Sequence, residues 1–392
     1  MSQNERHSSD SAMRLTARQL NLATLARQLL LERKPIPVVE AVRAVCALQS
    51  QSAASPYIGL WNRVAAFDPA KLDHAYATQA VVKATLMRMT LTTVAAEDYP
   101  ALHRAMVFDL RRGRLGDPWF TRGGLSIAEA DALMPQVIAF ATEARTKAEL
   151  EAMISERAGG DAGPGVWWAY RFLAPVVHAP TGGPWSFGDR SSFVASRTEP
   201  FDGDREAAIP VLVRRYLEAF GPASAADINQ FTTLPHPSIK AALRTLADEL
   251  ATHEGPDGTP LHDVRDGVLP EEGHAAPPRL LPMWDNALLA HRRRSRLVPD
   301  AYRRLIAQVN GDTLPTVLVD GYVAGVWRPA PGREGAIEVT AFHALGAATW
   351  DGLEAEARAL VAFLADRQPD VYARYGHWWR TLPSAAVRVL AG

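Results

Sequence analysis

Apolar residues recur at helical spacing over Thr16–Leu31, and Pro35 and Pro37 end that run. The same period predicts a second amphipathic helix over Val38–Leu48. A third is predicted over Pro56–Ala66, burying Tyr57, Leu60 and Trp61. Asp68 then Pro69 reads as a helix start, because proline at the first helical position loses no hydrogen bond. Two β-rich runs follow, Ala80–Met87 and Thr90–Ala95, spaced as a hairpin. Helices followed by a two-stranded wing make the outline of a winged-helix unit.

The outline occurs twice more. Ser126–Ala141, Thr146–Glu156 and Val166–Phe172 read as helices, with Val176–Ala179 and Trp185–Phe187 as a short wing. Asp204–Phe220, Ser224–Phe231 and Pro237–Leu250 form the third helical set, with Ser224 as an N-cap. Its hairpin is Ala251–Glu254 with Pro260–Val264, around Gly255-Pro-Asp-Gly258. Past the Pro/Gly-rich stretch Gly267–Pro278 the period changes toward strands: Pro315–Val319, Tyr322–Trp327 and Ala336–Ala341, with Asp320-Gly321 as a turn. A helix over Asp351–Ala365 and an aromatic tail, Tyr372–Trp379, close the chain. The expected fold is therefore α+β: three tandem winged-helix units at 14–122, 123–200 and 201–266, then a small β-barrel or curled sheet with helices at 279–392. A chain of 392 residues is long enough for several such cores.

Composition narrows the chemistry. With 42 basic and 43 acidic side chains the formal charge is −1, so any polyanion must be held by a local stripe of cations. Cys46 is the single cysteine, which excludes an internal disulfide and a cysteine-based zinc cluster. The polar start MSQNERHSSDSAM is expected to be an unstructured leader, not a secretory signal. No apolar run approaches the roughly 18 residues that span a bilayer, so a cytoplasmic protein with no membrane partner is expected. The chain lacks a phosphate-cradling GxxxxGK[ST], a dinucleotide glycine fingerprint, a GxSxG elbow and HExxH. The eleven histidines do not cluster at ligand spacing, so neither metal nor other cofactor is expected.

Three constellations remain. Gln49-Ser50-Gln51 places two neutral amides at i, i+2, which share a face only if the chain is extended there. Capping of the preceding helix is the alternative use of these amides. The first hairpin mixes cation and hydroxyl at Lys83, Thr85, Arg88, Thr90 and Thr92, a set suited to phosphate, or else a solvated edge. His291-Arg292-Arg293-Arg294-Ser295-Arg296 is the densest basic run, and it follows the apolar segment Leu280–Leu289. A smaller patch is Arg111, Arg112 and Arg114.

From about Leu15 to Leu364 the chain resembles the AlkZ-type DNA glycosylases, a bacterial family of tandem winged-helix proteins. The resemblance rests on LQSQ at 48–51 followed by SPYIGLWNR, VKATLMRMTL at 82–91 and FGPASAADINQFT at 220–232. It continues in RLLPMWDNALLAHRRRSRLV at 279–298 and VLVDGYVAGVWR at 317–328. It implies three winged-helix units and a C-terminal β-barrel arranged as a C-shaped clamp around DNA. It also implies a catalytic Gln-aliphatic-Gln or Gln-aliphatic-Asp motif, whose polar ends are matched by Gln49 and Gln51. Ser50 departs from the aliphatic middle, and Thr92 stands where relatives often carry histidine.

The expected activity is monofunctional hydrolysis of alkylated purines, of N7-alkylguanine type and including interstrand crosslinks, in double-stranded DNA by a monomer, serving either DNA repair or resistance to the cell's own antibiotic. Lys83, Thr85, Arg88, Thr90, Arg292, Arg293, Arg294 and Arg296 are the expected DNA contacts. Two other uses compete. One is a non-catalytic winged-helix regulator. The other is a protein that sequesters a DNA-reactive small molecule through Trp167-Trp168 and Trp378-Trp379.

Overall fold

The computed structural model describes residues 13–122, 125–160, 164–308 and 310–391, without the side chains of 108–115, 119, 121, 164, 168, 169 and 172. The expected leader before Met13 lies outside these residues, as do the side chains of Arg111, Arg112, Arg114 and Trp168.

The first unit starts at helix Ala17–Arg27, which Thr16 and Gln19 close with a reciprocal capping box. Helix Val38–Ala44 follows, shorter than its periodicity predicts. Cys46 turns left-handed (φ 65°), and the chain leaves the helix to form strand Leu48–Gln49. That strand adds to a hairpin, Val81–Thr85 with Leu91–Ala95, in the order 48–49, 91–95, 81–85. The correction has a physical cause. The backbone of Leu48 and Gln49 pairs with Thr93 and Thr92, a long-range ladder that a local period cannot register. Helix Ser55–Trp61 is buried along its length, and helix Pro69–Ala77 starts as expected, with the Asp68 carboxylate accepting from Ala70 N.

Helix Tyr99–Leu115 was not expected from the sequence. Its Arg- and Gly-containing second half masks the period, but Leu102, Ala105 and Met106 join one apolar cluster with Leu212, Val213 and Tyr216 of helix Arg205–Phe220. The second unit contains helices Ile127–Phe140, Lys147–Ala158 and Pro164–Leu173. Its sheet orders Arg145–Thr146, Ser192–Ala195 and Val176–Ala179. The predicted wing strand Trp185–Phe187 is instead a docking loop. Trp185 packs 5.1 Å from Tyr57 and Phe187 4.8 Å from Tyr76, between ring centroids, so aromatic residues that suit a strand here tie the second unit to the first. The third unit keeps its expected parts: helices Arg205–Phe220, Ala225–Thr232 and His236–Thr245, and hairpin Leu250–Glu254 with Pro260–Val264.

After 278 a five-stranded antiparallel sheet runs in the order Ala386–Leu390, Ile337–Ala341, Tyr322–Pro329, Thr316–Val319, Arg279–Leu280. Among the described residues no pairing joins its edge strands, so the expected closed barrel is an open sheet. Arg279–Leu280, two residues long, offers too little edge for closure, and helix Ala347–Ala365 lies against the sheet, with Leu353, Ala357 and Leu360 in the same core. That core also contains Tyr57, Leu60 and Trp61, so the two ends of the chain bury one another. No described helix is long and apolar enough to cross a membrane.

Candidate active site

Pairing of Leu48–Gln49 continues through Ser50, whose N–H donates to the Leu91 carbonyl at 2.8 Å. Side chains alternate along this extended run, so Gln49 and Gln51 share one face and Ser50 takes the other. The serine explains its own departure from an aliphatic residue. Fully buried, its hydroxyl meets Thr93 Oγ1 at 2.6 Å, which in turn meets the Tyr76 hydroxyl at 2.5 Å, a polar chain in place of apolar packing.

Each glutamine is tied to the hairpin. Leu91 N–H donates to Gln51 Oε1 at 3.3 Å, which fixes that amide's orientation because only the oxygen can accept. Thr90 Oγ1 lies 3.0 Å from Gln49 Oε1 and 2.9 Å from the Met87 carbonyl. A hydroxyl carries one proton and serves one acceptor at a time. Met87 and Gln49 therefore share that proton, and the second lone pair of the Gln49 oxygen is left for another donor. Gln49 is 5% exposed, while Gln51 stands in solvent.

Both amides border a cavity of about 280 Å³ that Arg88, Thr90, Trp284 and Arg294 also line, with Gln308, Asn310 and Asp312 across from them. Arg88 enters from the hairpin turn. Its Nη2 donates to Asn286 Oδ1 at 2.9 Å, its guanidinium lies 5.4 Å from the Phe231 ring centre, and Nη1 has no hydrogen-bond partner among the described residues. Burial, with Arg294 nearby, lowers its pKa to about 10, which leaves it cationic at neutral pH. Asn286 Nδ2 donates to the Ala47 carbonyl at 2.8 Å, joining Arg88 to the strand that carries the glutamines. Beneath, Asp285 receives two hydrogen bonds from Arg63, at 2.8 and 2.9 Å, in a pair almost wholly out of solvent. Asp312 is the carboxylate of the lining and already accepts from Asn310 Nδ2 at 2.9 Å.

The other expected contacts are dispersed. Thr85 is buried, and Lys83 lies across from Thr93 on the Ser50 side of the sheet. The Lys83 ammonium sits 4.2 Å from the Phe187 ring centre and borders a separate cavity of about 650 Å³, whose rim includes Gln51. Burial lowers its pKa from 10.5 to about 8. The fold therefore holds fewer protons than the unfolded chain between those values, and stability rises as pH climbs from about 8 to 10.5. Below pH 8 the whole penalty stands, about 3 kcal/mol. Lys83→Met is expected to stabilise the protein at pH 7 by an amount of that order and to abolish the alkaline rise, as urea denaturation at pH 7 and 9.5 would register.

Arg292 and Arg293 are exposed, the latter beside Asp257, and Arg294 is partly buried. Arg296 turns inward, Nη2 donating to the Pro222 carbonyl at 2.6 Å. Thr92 is buried opposite Gln49. Cys46 is buried too, its thiol pushed up to about 12, which leaves it unreactive. Trp167 belongs to the second unit's core, edge-on to Phe193. Sequence reasoning left Asn286 and the 310–313 loop unassigned. An asparagine inside the apolar run Leu280–Leu289 was the available signal, since a buried amide requires partners.

The AlkZ-like family model, described as DNA glycosylase AlkZ-like, matches residues 42–363. The solved structure of Streptomyces sahachiroi DNA glycosylase AlkZ shares the fold, with TM-score 0.76 and 21% identity over 91% of this chain and 99% of that one. No curated protein matches the sequence. With the family match spanning well over half of its length, the chain belongs to the AlkZ-like DNA glycosylases.

Proposed function

We propose that this protein hydrolyses the N-glycosidic bond of N7-alkylated purines in double-stranded DNA, with Gln51 placing the water and Gln49 orienting it and the sugar. The observation that carries this is the placement of both amides on one face of an extended strand, at a cavity whose cations are Arg88 and Arg294. Glycosidic cleavage passes through an oxocarbenium-like sugar. An N7-alkylated guanine is already cationic and departs neutral, so no acid need protonate it. Positioned carboxamide oxygens can then hold the water and stabilise the sugar's charge without a strong base.

In this reading the three helix-and-hairpin units, 14–122, 123–200 and 201–266, act as winged helices. With the sheet of 279–392 they form a clamp around the duplex, and the protein works as a monomer. Arg292, Arg293 and Arg294 contact phosphate. Neutralising exposed Arg292 is expected to weaken binding evenly across sequences and reduce the slope of log K against log salt by about 1. Fluorescence-anisotropy titrations at several salt concentrations would measure it.

The deciding experiment is incubation with methylated duplex and chromatographic detection of free 7-methylguanine, alongside an N7-crosslinked duplex. Strands that remain whole until alkali is added mark a monofunctional hydrolase. Tight duplex binding without base release would leave the regulator reading in its place.

A further inference from the structure

The first hairpin ends in a turn that bends left-handed at two consecutive non-glycine residues, Arg88 (φ 54°) and Met89 (φ 55°). This conformation crowds a Cβ and persists only where neighbours impose it. Here they do. Met89 N–H donates to the Leu86 carbonyl at 2.9 Å and Thr90 N–H to the Met87 carbonyl at 3.1 Å, closing the turn. On one side of Met89, Arg88 is drawn inward to Asn286 and Phe231. On the other, Thr90 is held to Gln49. With both neighbours fixed, Met89 stands 44% exposed at the tip. The other large hydrophobics this exposed among the described residues are Met13, Ile127, Val268, Val387 and Val389, and none of them adjoins residues lining the glutamine cavity.

An exposed thioether beside partly buried cations and paired amides is an apolar probe on a rigid mount. We propose that Met89 is a positioning residue that enters the DNA base stack as a wedge beside the damaged nucleotide, presenting its glycosidic bond to Gln49 and Gln51. The proposal rests on the glycosylase function proposed above. In a stacked duplex the anomeric carbon is hemmed in by adjacent nucleotides, so water needs the step opened before it can attack opposite the departing base. Apolar side chains open such steps by partial unstacking, and methionine's unbranched, polarisable chain fits irregular gaps without polar groups to desolvate. Because Thr90 joins Met89 directly to Gln49, opening of the step and delivery of the amides are mechanically one event.

The test compares wild type, Met89→Ala and Met89→Leu on duplex and single-stranded oligonucleotides carrying the same 7-methylguanine. Met89→Ala is expected to lower kcat/KM on duplex by about 10- to 100-fold, leave release from single strands within about twofold, and keep its thermal midpoint. Met89→Leu should restore most of the duplex activity. A second readout needs no turnover: 2-aminopurine beside a hydrolysis-resistant 2′-fluoro lesion should brighten on binding wild type and stay dark with Met89→Ala.

Equal activity of Met89→Ala and wild type on duplex overturns the wedge. So does an equal loss on both substrates, which would make the turn a mere support of the site, and so does 2-aminopurine that stays dark with wild type. Failure of wild type to release base from either substrate instead removes the glycosylase function, while the fluorescence still reports on the wedge.

Discussion

Alanine at Gln49 or Gln51 is expected to slow base release by about 10²–10³-fold, roughly 3–4 kcal/mol of transition-state stabilisation, with duplex affinity within about twofold. The separation follows from geometry. In the proposed function binding draws on exposed cations such as Arg292, whereas the amides are held at the cavity by Leu91 N–H and the Thr90 hydroxyl. On the proposed roles, what the substitutions remove is alignment of water against the sugar, which matters only at the transition state. Gln51→Asp should retain more activity than Gln51→Ala, since a carboxylate oxygen can accept the same water proton and related proteins are expected to use aspartate there. Single-turnover release of 7-methylguanine, with anisotropy titrations beside it, measures both quantities. Unchanged turnover in the Gln49→Ala/Gln51→Ala variant would falsify the assignment.

The largest stability effect is expected beneath the site. Arg63 is fully buried, and its guanidinium makes a two-pronged pair with Asp285 while also donating to the Gly59 carbonyl at 2.9 Å. Removing one partner strands a charge in a low-dielectric core. Asp285→Ala or Arg63→Met should therefore destabilise the protein by about 3–5 kcal/mol. Replacing both, Arg63→Met with Asp285→Leu, should recover much of the loss, because a packed apolar pair avoids both desolvation penalties. Urea denaturation with a double-mutant cycle would give the coupling directly. The aspartate also accepts from Ala287 N–H at 3.0 Å and precedes Asn286, so Asp285→Ala should loosen the support of Arg88 and reduce turnover even where the protein stays folded.

Legibility divides by the range of the interactions. Caps and turns made from neighbouring residues were readable: Asp68 with Pro69, the Ser224 N-cap, and the Asp320-Gly321 turn, where a Cβ on Gly321 would lie 2.6 Å from Leu25. The hairpin around Met87–Met89 was readable for the same reason. Elements completed by distant partners were not. Strand Leu48–Gln49 depends on Thr92 and Thr93, Trp185 on Tyr57, and edge strand Ala386–Leu390 on Ile337–Ala341.

The amino-acid order by itself determined which side chains could do chemistry here: two amides at alternate positions, cations on a hairpin and in one arginine run, and few competing motifs. Tertiary structure decided which of them meet. Arg88, Thr90 and Arg294 join the glutamines, Lys83 is sent to the opposite face of the sheet, and Arg296 is turned inward. Side-chain type is a local property, whereas burial and mutual approach arise from packing between segments as far apart as Ala47 and Asn286, which no local pattern encodes.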